Sequence, residues 1–100
     1  MYASQLKALS DPNRMLIMKK LATNEHCRCD ANCACRLLES FDFSQPTLSH
    51  HMKTLCSSGL VAAKRDGSRT HYQINRDVYE ELLAYLRESI TPGICECDNN

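Results

Sequence analysis

The spacing of apolar residues predicts two short helices at the beginning of the chain. The segment LKALSDPNRMLIMKKLA contains a break, at which Ser10 or Asp11 can cap the second helix and Pro12 fits its first turn. This second helix is expected to end near residues 23–24. Its inward positions are predicted to be Leu16, Ile17, Lys20 and Leu21, with Met15 and Met18 filling gaps.

Two further helices follow within residues 35–59. The segment CRLLESF has an apolar stripe of Leu37, Leu38 and Phe41. After the short turn DFS, the segment SQPTLSHHMKTLCSSGL has Ser44 as a helix cap and Gly59 as a left-handed stop. Leu48, Met52 and Leu55 form its buried stripe. The face away from that stripe is short and polar, and it carries Gln45, Thr47, Ser49, His50 and Lys53.

A β-hairpin and a last helix complete the predicted elements. The segment VAAKRDGSRTHYQI has a two-residue turn signal at Asp66-Gly67, with Tyr72 and Ile74 alternating inward. Three basic residues cluster at the hairpin tip: Lys64, Arg65 and Arg69. The final helix DVYEELLAYLRESI has an apolar side of Val78, Leu82, Tyr85, Leu86 and Ile90.

This order of elements predicts a mainly α fold with one β-hairpin, a winged helix-turn-helix. We expect one domain over residues 1–90 and a flexible tail with cysteines over residues 91–100. The recognition helix of such a fold presents its polar side chains to the major groove of DNA, and the wing adds backbone or minor-groove contacts. A chain of 100 residues buries a limited core, which favours a dimer.

The distribution of charge adds a polyanion contact to this picture. The formal net charge is zero, yet residues 44–76 sum to +4 and residues 77–100 to −5. No signal peptide and no apolar run of membrane-spanning length occur, so we expect a cytoplasmic protein without membrane contact.

Cysteines are concentrated in the segment CRCDANCAC, where two C-x-C pairs lie within residues 27–35. Seven cysteines are an odd number for a disulfide framework, and disulfides are rare in the cytosol. The absence of any C-x2-C argues against zinc ribbons and thioredoxin-like motifs. Thiolates select soft or thiophilic ions. Since residues i and i+2 point roughly 200° apart on a helix, one ion held by a C-x-C pair requires a distorted helix start.

The motifs FSQPTLSHHMKTL and RDGSRTHYQI, preceded by LKALSDPNRMLIMKKL, resemble the ArsR/SmtB family of winged-helix metal-responsive repressors over residues 5–78. The resemblance implies a homodimer, packed through its terminal helices, that binds operator DNA when free of ions. It also implies that an inducer weakens the DNA complex. The family's other site, on the last helix, requires Asp and His ligands, and that helix has Asp77 but no His.

The arsenical-responsive subgroup places a C-x-C pair at the start of the third helix. Counted forward from the second helix, Cys27 and Cys29 take that place; counted backward from SQPTLSHH, Cys33 and Cys35 do. We expect Cys33 and Cys35 to be ligands, with a third thiolate from Cys29 or Cys27. The pair Cys95 and Cys97 in the tail is the competing source.

The resemblance favours As(III) or Sb(III) as inducer, while four thiolates also suit Cd(II), Pb(II) or Zn(II), and a redox sensor stays open. DNA binding itself requires no cofactor. No nucleophile-base pair or phosphate loop indicates an enzyme. A metal-buffering thiol protein would explain the cysteines but leave SQPTLSHHMK and the basic hairpin without a role.

Overall fold

The computed structural model describes residues 2–25 and 32–93. Its elements are α1 (Ala3–Leu9), α2 (Pro12–Thr23), α3 (Ala34–Ser40), α4 (Gln45–Ser57), β1 (Val61–Asp66), β2 (Arg69–Ile74) and α5 (Arg76–Ile90). The predicted winged helix-turn-helix is confirmed: α3 and α4 form the helix-turn-helix, and the antiparallel hairpin β1-β2 is the wing. None of the helices within the described ranges is long and apolar enough to cross a membrane.

The predicted helix boundaries are confirmed by the caps. Asp11 precedes α2, and its carboxylate accepts a hydrogen bond of 2.8 Å from the amide of Asn13. Ser44 precedes α4, and its hydroxyl accepts from the amide of Thr47 at 3.3 Å. Gly59 follows α4 with a φ of +86°, the left-handed conformation that ends a helix.

One core joins the inward faces of the helices to the base of the wing. Leu48, Met52 and Leu55 of α4 are buried as predicted. They lie in one cluster with buried residues of the other elements, among them Ile17, Leu21, Leu37, Leu60, Val61, Ile74 and Leu82. The predicted inward side chain of Tyr72 packs against this cluster, as do Leu38 and Phe41 of the predicted α3 stripe.

Three details of the predicted apolar stripes were wrong. On α2, Met15 and Leu16 are about half exposed, because the helix directs Ile17, Met18 and Leu21 to the core. On α5, Leu82 is the buried position, whereas Tyr85 and Ile90 point outward. These apolar side chains remain available to a partner.

The hairpin turn lies one residue later than predicted. Asp66 pairs with Arg69, so the loop is Gly67-Ser68, with a positive φ of 64° at the glycine. Glycine at the first loop position suits a type II′ turn. The register pairs Val61 with Ile74, and both are buried at the base of the wing. A loop at Asp66-Gly67 would have broken that buried pair.

Candidate metal centre and nucleic-acid interface

Two cysteine sulfurs meet at the start of α3. Cys33 is the N-cap, with extended backbone angles (φ −75°, ψ 154°), and Cys35 lies in the first turn. Because Cys33 is outside the helix, its side chain is not directed away from that of Cys35, and the two Sγ atoms are 3.1 Å apart. Cys33 is only 2% exposed, whereas Cys35 is exposed. This helix start has the distortion that one ion shared by a C-x-C pair requires.

The two thiols differ in acidity. Burial opposes ionisation of Cys33, but the hydrogen bond with Cys35, the amides of Arg36 and Cys35 and the charge of Arg69 together lower the pKa of the Cys33 thiol. The same hydrogen bond, burial and the negative charge of Cys33 raise the pKa of the Cys35 thiol. Since the thiolate is the metal ligand, Cys33 supplies the more readily ionised sulfur of the pair.

The other predicted thiol ligands, Cys27, Cys29, Cys95 and Cys97, lie outside the described residues. Within residues 2–25 and 32–93, no group of three or more His, Cys, Asp or Glu side chains is placed to hold a metal ion. Cys56 on α4, predicted to be a buried thiol, is half-buried. Its burial raises the pKa of its thiol, which keeps it protonated and a poor ligand.

A cavity of about 520 Å³ extends from the thiol pair to the two elements predicted to contact DNA. The start of α3 forms one wall, the first turns of α4 form the second, and the tip of the wing forms the third. The lining residues are Cys33, Ala34, Cys35, Leu38, Gln45, Leu48, Ser49, Ser68, Arg69, Thr70 and Tyr72. A group bound to the thiols would therefore touch both DNA-reading elements.

The predicted DNA-contact residues lie on exposed faces. On α4 these are Gln45, Thr47, Ser49, His50 and Lys53, and on the wing Lys64, Arg65 and Arg69. His51, the neighbour of His50, is 7% exposed; its Nδ1 lies 3.4 Å from the Arg14 guanidinium, and its ring packs on Phe43. His50 is thus available to DNA, whereas His51 is a packing residue.

The structure adds residues to the site that the sequence did not indicate. Thr70 and Tyr72 line the cavity from β2. Asn32 hydrogen-bonds both to the end of α2 and to β2. The only local signal was the position of Asn32 directly before a candidate ligand, because its partners lie far away in the chain.

Comparisons with known proteins agree with this geometry. The family model described as "Bacterial regulatory protein, arsR family" matches residues 11–63, which include α2, α3, α4 and the start of the wing. The chain belongs to the ArsR family. It is 45% identical over 99 residues to the arsenical resistance operon repressor of Staphylococcus xylosus and 42% identical over 95 residues to that of Staphylococcus aureus. Each alignment covers 94% of this chain and 86% of the relative.

The fold comparison gives the same family. An ArsR-like transcriptional regulator from Rhodococcus sp. RHA1 superposes with a TM-score of 0.72 at 25% identity, over 88% of this chain and 77% of that one. As an ArsR-family helix-turn-helix protein, the chain is a DNA-binding transcriptional repressor and not an enzyme. Its relatives indicate a metal or metalloid inducer.

Proposed function

We propose that the protein is a homodimeric repressor that binds operator DNA and is released when As(III) or Sb(III) binds Cys33 and Cys35. A third thiolate, from Cys29 or Cys27, completes the ligand set. Such a repressor works in the cytoplasm, where it meets DNA. The observation that carries the proposal is the pair of sulfurs 3.1 Å apart at the mouth of a cavity between the recognition helix and the wing.

The position of the pair supports its role as the obligatory one. Cys33 accepts the first helical hydrogen bond of α3, from the amide of Leu37 to its carbonyl at 3.0 Å. An ion that moves Cys33 therefore acts on the first helix of the helix-turn-helix. The free energy of coupling is the difference in ion affinity between the DNA-bound and free proteins.

Three double Cys→Ser variants test the assignment: 27/29, 33/35 and 95/97. Each is bound to a fluorescent operator duplex under reducing conditions and titrated with arsenite. We expect the 33/35 variant to bind DNA but not to be released, the 27/29 variant to be impaired in release, and the 95/97 variant to respond as the parent does. A 33/35 variant that responds normally beside a 95/97 variant that does not would move the site to the tail.

The same titration with Cd(II), Pb(II) and Zn(II) decides the ion, since four thiolates would satisfy these cations better than three. A redox sensor would instead be released by an oxidant and restored by a thiol reductant. A metal-buffering protein would bind the ions but show no specific DNA complex in a mobility-shift assay.

A further inference from the structure

Asn32 connects the thiol pair to two other elements. Its side-chain amide donates a hydrogen bond to the carbonyl of Leu21 at 3.2 Å, and its side-chain oxygen accepts one from the amide group of Asn24 at 3.2 Å. Leu21 is in the last turn of α2, where carbonyls have no partner within the helix. The side chain of Asn32 thus fastens the segment before Cys33 to the end of α2.

The main chain of the same segment is joined to the wing. The carbonyl of Asn32 accepts a hydrogen bond from the amide of Tyr72 at 3.0 Å, and Cys33 forms an antiparallel bridge with His71. Residues 32–33 therefore run beside β2 as a short additional strand. A shift of the Cys33 main chain is carried to β2, whose Arg69 and Thr70 line the thiol cavity next to the wing tip.

We propose that Asn32 is a positioning residue that couples the thiol pair to the wing. It holds residues 32–33 between α2 and β2, so that ligand binding at Cys33 displaces β2 and the DNA contacts of the wing. This inference rests on the proposed function and adds a second route of release beside the strain on α3. Without the side-chain clamp, the segment adapts to the ligand without moving β2.

Linkage gives this inference a distinctive consequence. The work done on the wing is subtracted from the affinity for the ligand, since coupling is reciprocal. A variant without the clamp should therefore bind arsenite as tightly as the parent, or more tightly, and yet be released from DNA less. A residue that only builds the site would lose ligand affinity and release together.

The test compares Asn32→Ala with Thr23→Ala. Thr23 is at the same end of α2, where its hydroxyl donates only to Lys19, so its variant leaves the clamp intact. The DNA affinity of each reduced, full-length protein is measured by fluorescence anisotropy with and without saturating arsenite, on a duplex selected by the parent from random sequences. The arsenite affinity of the free protein is measured by calorimetry.

We expect the factor by which arsenite weakens DNA binding to fall at least ~5-fold in Asn32→Ala, at undiminished arsenite affinity. Thr23→Ala should keep the parent's factor. The inference is overturned if Asn32→Ala is released like the parent, or if its arsenite affinity falls in step with its release. A parent that arsenite does not release would instead refute the proposed function.

Hydrogen exchange of the parent alone provides a test that needs no variant to fold. The amide of Tyr72 should exchange more slowly in the free protein than in the arsenite-loaded one, because loading displaces β2 from Asn32. Exchange of this amide that is unchanged on loading overturns the inference, whatever happens on DNA.

Discussion

Cys33 and Cys35 are two residues apart but occupy opposite environments. The exposed Cys35 is the accessible thiol, yet its pKa is raised first of all by its hydrogen bond with Cys33, then by burial and by the charge of Cys33. The buried Cys33 is the more acidic thiol but is shielded from solvent. Alkylating reagents attack the thiolate, so acidity and access oppose each other in this pair.

We therefore predict that Cys33→Ala makes Cys35 more reactive near neutral pH. Removing Cys33 removes both the hydrogen bond and the negative charge that raise the pKa of Cys35, so its thiolate fraction at a given pH increases. The check is the rate of iodoacetamide modification of Cys35 between pH 6 and 9, resolved by peptide mass spectrometry. The pH profile should shift to lower pH; an unshifted profile would contradict the assigned cause.

Gly59 gives a second prediction at this scale, about stability. Its φ of +86° is left-handed, and an added Cβ would meet only Val78, at ordinary contact distances of 3.8 and 4.0 Å. The cost of Gly59→Ala is therefore conformational, about 1–2 kcal/mol in the free energy of unfolding. Gly93→Ala is the matched control, because nothing lies within 4 Å of its added Cβ. Urea denaturation showing equal losses for both variants would refute this explanation.

Among the elements, those specified by neighbouring residues could be predicted and those specified by distant ones could not. The caps Asp11 and Ser44 act within three residues and were identified from the sequence. The hairpin loop was misplaced because its register depends on the buried pair of Val61 and Ile74, thirteen positions apart. The candidate thiols could be listed from their spacing, whereas the cavity beside them depends on the approach of β2 to α3.

The wing provides a prediction at the scale of the element. Lys64, Arg65 and Arg69 are exposed around its tip, where long basic side chains meet phosphate rather than base edges. Replacing each in turn by Ala should lower the slope of log K against log salt by about one per lost phosphate contact. The preferred operator sequence should stay the same. Binding titrations between 50 and 200 mM salt that show an unchanged slope with altered sequence preference would assign base recognition to the wing.

For the whole molecule, the terminal helices carry the apolar surface that a dimer requires. Ile90 on α5 is 72% exposed, Tyr85 is 43% exposed, and Leu6 on α1 is 41% exposed. The rings of Tyr2 and Tyr85 stack with centroids 4.6 Å apart, which joins the start of α1 to α5. Exposed apolar residues on two packed helices indicate a surface covered by another molecule. We assign it to the second copy of this chain.

Ile90→Glu should consequently weaken the dimer. A carboxylate in an apolar interface has no partner and loses its hydration, so we expect the dimer dissociation constant to rise by at least ~10-fold. Ser89→Glu adds the same charge at the neighbouring exposed position and should leave the dimer intact. Sedimentation velocity at micromolar concentration measures the dissociation constant of each variant. DNA affinity should fall with dimer content, because two recognition helices are needed to reach half-sites about one helical turn apart. If Ile90→Glu dimerises as the parent does, the terminal helices are not the interface; if it becomes monomeric with full DNA affinity, operator binding does not depend on the dimer.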